Sequence, residues 1–267
     1  MPITRSQLQE TLRRALEAET AVDAAWEGGS AAFGRDDELS DVDVVAVVAD
    51  DAWDTTFARV EAALNVLSPV TLRVTMPTPA GSAQRFYRLR DAGEFLVVDL
   101  TLVRQGSPLP LREEELHGRG RTWFDRAGIL VETHLDRARE EALIRERIPL
   151  LRESFEMFQH LATKERLRGH GTDALTFYHA WTLRPLAEAL RLLHAPDTRV
   201  FGLRYLARDL PPAVVERLQK LCFIGDLTRL AEAHEEAKRW FAECIERLER
   251  LGPGAGIGRS TDRSTGE

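Results

Sequence analysis

Three aspartates and a glycine–serine pair are the residues of this sequence whose types and spacing could do chemistry. Asp41 and Asp43 open the run Asp-Val-Asp-Val-Val-Ala-Val-Val (41–48), which is almost wholly apolar beyond its second acid. Side chains along a strand alternate between faces, so acids at i and i+2 project to the same side. Asp99 stands inside a second apolar run, Phe-Leu-Val-Val-Asp-Leu-Thr-Leu-Val (95–103). A lone charge there is costly unless something compensates it. Gly28-Gly29-Ser30 follows a short apolar stretch and precedes small residues that can begin a helix. Glycine lets a backbone come close to a phosphate, and a helix start presents free N–H groups to it.

Three carboxylates brought to one place repel one another, which raises their pKa values unless a divalent cation neutralises them. Oxygen ligands suit Mg²⁺, which is commonly held by one or two carboxylates together with substrate phosphates. Two such ions, about 3.5–4 Å apart, fit an in-line phosphoryl displacement. Each feature taken singly has a plainer reading. An i, i+2 acid pair can be the solvated start of a strand, Gly-Gly-Ser a turn, and Asp99 half of an ion pair with Arg85 or Arg88. Their conjunction is what points to chemistry.

The elements that must position these residues can be read from the pattern. Leu8, Leu12 and Leu16 form one stripe of an amphipathic helix over 4–20, with Ser6 and Gln9 as its capping box. Strands are expected over 22–26, 41–48, 70–76, 84–90 and 94–103, with a helix over 52–67 and a last hairpin or edge strand within 122–132. Pro108 and Pro110 mark a connection. From Asp136 to Leu251 the pattern is helical, broken at 169–171, 195–196, 211–212 and 225, which predicts four or five antiparallel helices. The expected fold class is α+β: a mixed-sheet domain over 1–134, an all-α helical bundle over 135–251, and a disordered tail over 252–267. The glycine run in that tail follows a helix and does not fit a dinucleotide fingerprint.

The composition excludes several classes. No apolar run approaches the roughly 20 residues of a membrane span, and the N-terminus has no apolar signal core, so a cytoplasmic protein is expected. Cys222 and Cys244 do not make a disulfide framework, and the seven histidines lack metal-ligand spacing. The net charge of −7 is uneven, since residues 1–116 hold 11 Arg against 20 Asp and Glu while the remainder is nearly balanced. Nucleic-acid affinity comes mostly from phosphate neutralisation, so nucleic acid is an unpromising partner.

The residues already quoted carry a resemblance. Gly29-Ser30, a spacer of ten residues, and then Asp41-Val42-Asp43-Val44-Val45 resemble the signature of the DNA polymerase β-type nucleotidyltransferase superfamily, whose third acid lies on a later strand, as Asp99 does. The small and acidic spacer (33–39) is similar to that of its minimal and antibiotic-modifying branches, and the two-part plan resembles the aminoglycoside and lincosamide nucleotidyltransferases. The resemblance implies a nucleotidyltransferase domain followed by a helical bundle. It also implies transfer of a nucleoside monophosphate, AMP from ATP, to a hydroxyl of a small-molecule acceptor, with two Mg²⁺ ions. Gly29 and Ser30 would hold the β- and γ-phosphates. Asp41 and Asp43 would bind metal, while Asp99 would complete a second metal site or act as the base. Many relatives carry a basic residue three positions after the serine, where this chain has Phe33, and Arg35 is the expected substitute as phosphate contact. Lys164, Tyr178 and Arg184 are candidates for the acceptor, with His160 and His179 beside them, in a cleft expected between sheet and bundle. Two alternatives stay open: transfer to tRNA or protein, as in toxin-like members, and a non-catalytic nucleotide-binding protein of the same fold.

Overall fold

The apolar run at 42–48 becomes the strand on which the first half of the chain is organised. A computed structural model describes residues 2–49, 51–108 and 113–252. It divides into two units, Met1–His134 and Leu135–Glu267. The first unit is built on a six-stranded sheet. Its strands are β1 (Val22–Glu27), β2 (Val42–Val48), β3 (Val70–Met76), β4 (Ser82–Leu89), β5 (Val98–Arg104) and β6 (Arg121–Asp125), arranged in the order β3-β4-β5-β2-β1-β6. β2 and β5 run parallel, and the other four pairings are antiparallel, so the sheet is mixed.

Alternation along β2 divides the core. Val42, Val44, Ala46 and Val48 face helices α1 (Arg5–Glu17) and α2 (Trp53–Leu67), meeting Leu8, Leu12, Leu16, Phe57, Val60 and Leu64. Val45 and Val47 face the other way, into a smaller cluster with Trp26 and Val103. Asp41 and Asp43 therefore lie on the side away from the two helices. The leucine stripe of α1 lies where it was expected, but the capping box is Thr4 with Gln7, two residues earlier than Ser6 with Gln9. The expected strand over 94–103 begins only at Val98, because Gly93–Val97 turn back on themselves and leave Phe95 exposed. The last strand of the unit is β6, an edge strand paired with β1, and the short helix α3 (Glu114–His117) precedes it.

The second unit is helical, with α4 (Arg137–Leu167), α5 (Gly171–Tyr178), α6 (Arg184–His194), α7 (Leu206–Asp209), α8 (Pro212–Cys222) and α9 (Leu227–Leu251). A π turn over His179–Leu183 joins α5 to α6 without a break. Pro185, at the start of α6, has no N–H to give the preceding turn, and the wider π spacing accommodates that loss. The four expected breaks at 169–171, 195–196, 211–212 and 225 all separate helices. Cys222 and Cys244 are both free thiols. Among the described residues, no helix is long and apolar enough to cross a membrane. Pro110, and the tail beyond Gly252, lie outside the described residues.

Candidate functional site

β2 and β5 are in register, so Asp43 and Asp99 are direct neighbours across the parallel pair. Asp41 precedes β2 by one residue and stands on the same side as Asp43. The three acids are thus brought together on the sheet face opposite α1 and α2. Their electrostatics show that they interact. Asp43 is raised to about 7, by burial first and then by repulsion from Asp41 and Asp99 and a side-chain hydrogen bond with Asp41, with Arg5 pulling the other way. Asp99 is raised to about 6, chiefly by burial, while a hydrogen bond from Gln84 lowers it and Asp41 raises it.

Asp99 has the partner that its apolar strand demands, but that partner is neither arginine foreseen. Gln84 on β4 donates from Nε2 to both carboxylate oxygens, at 2.8 and 2.9 Å. Arg85 is the next residue along and so points to the opposite face. There it pairs with Glu61 of α2 at 2.9 Å, over the Phe57 ring. Arg88, exposed near the outer end of β4, stands opposite Leu72 of the edge strand.

The glycine–serine pair forms the other wall. Gly29–Phe33 is a short 3₁₀ turn, entered through Gly28, whose N–H donates to the Asp43 carbonyl at 2.9 Å. Gly29 has φ +56, and a Cβ built on it would stand 1.8 Å from Asp43 Oδ2. The carboxylate therefore occupies the space that any side chain at 29 would need. The Ser30 Oγ is buried, with no hydrogen-bond partner among the described residues. A buried hydroxyl without a partner costs about 1–3 kcal/mol, so its surroundings suit an arriving acceptor or donor atom. Arg35 is exposed, its guanidinium 5.4 Å from the centroid of Phe33. Its backbone N–H donates to the Ser30 carbonyl at 3.0 Å.

The loop that carries Ser30 toward Asp41 is anchored from the helix side of the sheet. Glu27, fully buried at the end of β1, accepts from Arg5 at 2.6 Å and from Gln9 at 2.8 and 2.9 Å. Arg5 also reaches Asp36 in the loop at 3.1 Å. Sequence reasoning passed over Gln84, Arg5 and Glu27. The available signal for Gln84 was its polar amide inside a strand, two residues from Phe86, the direct neighbour of Asp99.

The acceptor candidates all belong to the second unit. Tyr178 is buried, and its hydroxyl donates to the Leu221 carbonyl at 2.9 Å. Lys164 is exposed, 3.7 Å from Glu165, and Arg184 is exposed as well.

The residues present fit a divalent cation bound beside a phosphate. Three carboxylates share one face and repel one another, two with raised pKa values, beside a turn stripped of its side chain and an unpartnered hydroxyl.

No protein-family model matches the chain, and no curated protein matches its sequence. Solved structures overlap it at low scores. An aminoglycoside 6-adenyltransferase from Bacillus subtilis is 12% identical with a TM-score of 0.39, over 93% of this chain and 91% of that one. JHP933 from Helicobacter pylori is 12% identical with a TM-score of 0.28, over 92% of each chain. A candidate nucleotidyltransferase from H. pylori is 16% identical with a TM-score of 0.27, over 93% of this chain and 99% of that one. Overlaps of this size do not bear on function; the acids, the glycine and the serine do.

Proposed function

We propose that the chain is a Mg²⁺-dependent nucleotidyltransferase that moves AMP from ATP to a hydroxyl of a small-molecule acceptor. The observation that carries this reading is the meeting of Asp41, Asp43 and Asp99 on one face, with Gly29 yielding its side-chain space to Asp43. Repelling carboxylates are a poor way to stabilise a fold and a good way to hold cations.

Asp41 and Asp43 are the residues that would hold Mg²⁺, with Asp99 beside them. Bound there, the metal supplies charge neutralisation for the triphosphate and for the oxygens that gain charge in the transition state. The Ser30 hydroxyl and the backbone N–H groups at 29–30 receive the terminal phosphates. Asp99 takes the proton from the acceptor hydroxyl. The acceptor oxygen then bonds to the α-phosphorus, the bond to the bridging oxygen breaks on the opposite side, and pyrophosphate leaves with that oxygen's electrons. What the protein contributes is positioning and fixed charge.

The testing experiment is thermal unfolding with ATP, GTP, CTP and UTP, each with and without Mg²⁺, on wild type and on the double variant Asp41→Ala/Asp43→Ala. A ligand at 100 times its Kd adds about 2.7 kcal/mol of stability. A Mg²⁺-dependent rise with ATP that the double variant loses supports the reading. No rise with any of the four nucleotides counts against it.

A further inference from the structure

The Asp99 carboxylate is held from one side only. Asp43, Asp99 and Phe86 stand opposite one another on β2, β5 and β4, forming one cross-strand row. Gln84 belongs to the next row, opposite Thr101, and reaches Asp99 along the diagonal. Diagonal neighbours are roughly 7–8 Å apart between Cα atoms, a span that a glutamine side chain bridges. Among the described residues no other side chain donates to Asp99, and the Gln84 nitrogen approaches both of its oxygens, at 2.8 and 2.9 Å.

We propose that Gln84 is the positioning residue of Asp99, fixing the carboxylate so that it works through one oxygen at a time. This rests on the nucleotidyltransferase reading above. A nitrogen straddling both oxygens fills the open mouth of the carboxylate, which is the approach a cation needs to be gripped by both. What remains is the outer side of each oxygen, suited to a single-oxygen metal bond or to the proton of an acceptor hydroxyl. The amide does this without bringing charge. An arginine or lysine in the same place would cancel part of the negative field that attracts Mg²⁺. The cation next to it on the same strand, Arg85, is turned instead to Glu61 and Asp54 on α2.

The experiment measures Mn²⁺ binding in the presence of ATP, by loss of the free-ion electron paramagnetic resonance signal. It is run on wild type, Gln84→Met, Gln84→Asn and the control Asp41→Asn. Methionine keeps the length and removes the donor, while asparagine keeps the amide and falls short. Partners that orient metal ligands are worth 10–100-fold in metal affinity or activity. The expected result is a weakening of that size for the more weakly held ion in both Gln84 variants, at a Tm within about 2 °C of wild type, a shift of less than about 1 kcal/mol. Where an acceptor is in hand, kcat falls while KM for ATP holds. A purely structural glutamine would move Tm and leave the ion affinity alone. Unchanged Mn²⁺ affinity in the two Gln84 variants overturns the proposal while leaving the nucleotidyltransferase reading intact. A wild type that binds no Mn²⁺ with ATP, or an Asp41→Asn variant that binds it equally well, overturns both.

Discussion

Gly29 and Asp43 share one volume. The carboxylate of Asp43 sits where a side chain at 29 would begin, with Oδ2 1.8 Å from the position of a Cβ. Gly29→Ala must therefore displace the Asp43 carboxylate, and it must also hold a non-glycine residue at φ +56. The backbone part costs about 1–2 kcal/mol. The expected outcome is modest destabilisation in urea, with Mg²⁺·ATP affinity reduced at least tenfold, read by calorimetry. A variant that binds as wild type would show that the two residues do not form a ligand site.

Metal-free protein should be strained by its own acids. The Asp43 pKa rises from 3.8 unfolded to about 7 folded, so the folded state binds more protons between those values. Stability is then fully present below about pH 4 and is lost as pH climbs toward 7. Asp43→Asn removes the repulsion and should raise the Tm of metal-free protein at pH 8 by several degrees, while abolishing transfer. Scanning calorimetry of both proteins in chelator decides it. A lower Tm in the variant would mean that Asp43 is paired rather than opposed.

Most of the first unit was legible in the sequence, for a physical reason. A run such as 42–48 is apolar on both faces because the strand is covered on both, and its two leading acids fall on one side by alternation alone. The start of β5 was not legible, since Phe95 and Leu96 continue the apolar pattern although the backbone turns there. The partner of Asp99 was misread because charge suggested Arg85. Alternation sends that residue to the α2 face and gives its uncharged neighbour Gln84 to the acid. The Thr4 cap was hidden because Ser6 and Gln9 offer the same chemistry two residues later. The continuous helical stretch between the breaks at 169–171 and 195–196 was legible, but the π turn inside it was hidden, because such a turn leaves no punctuation in sequence.

In the helical unit a buried histidine sets a limit in acid. His234 donates from Nε2 to Gln159 Oε1 at 2.7 Å, and Thr182 donates to that same oxygen at 2.8 Å. Burial first, then Lys238 and Arg166, depress its pKa to about 4, against the opposing pull of Glu235. The unfolded chain takes up this proton near pH 6.5 and the folded chain only near 4. Stability from this group is therefore whole above 6.5 and is lost as pH falls toward 4, by about 3 kcal/mol at most. His234→Gln should flatten the pH dependence of Tm across that window. An unaltered slope would refute the assignment.

Arg191 is fully buried and donates to the Gly202 carbonyl at 2.9 Å, to Thr198 Oγ1 at 2.7 Å, and to Asp209 and the Arg204 carbonyl. One side chain thereby ties together four points of the segment between α6 and α8. Arg191→Leu leaves Asp209 with Arg208 alone and should cost about 3–5 kcal/mol. Urea unfolding followed by circular dichroism measures it. A cost under about 1 kcal/mol would show that the segment holds itself.

The parallel pairing of β2 with β5 also governs when the site can exist. The helix α2 and the hairpin of β3 and β4 lie in sequence between the two strands, so Asp43 and Asp99 become neighbours only across that long intervening stretch. Closing so long a loop is slow, since its entropy is lost before any contact rewards it. The helix α1 and the β3–β4 hairpin can form locally and early, whereas the acid cluster appears only once the sheet has zipped shut across its middle. The acid cluster is in this way a wholly non-local property: a chain that has not joined β2 to β5 does not possess it, whatever local structure it already holds.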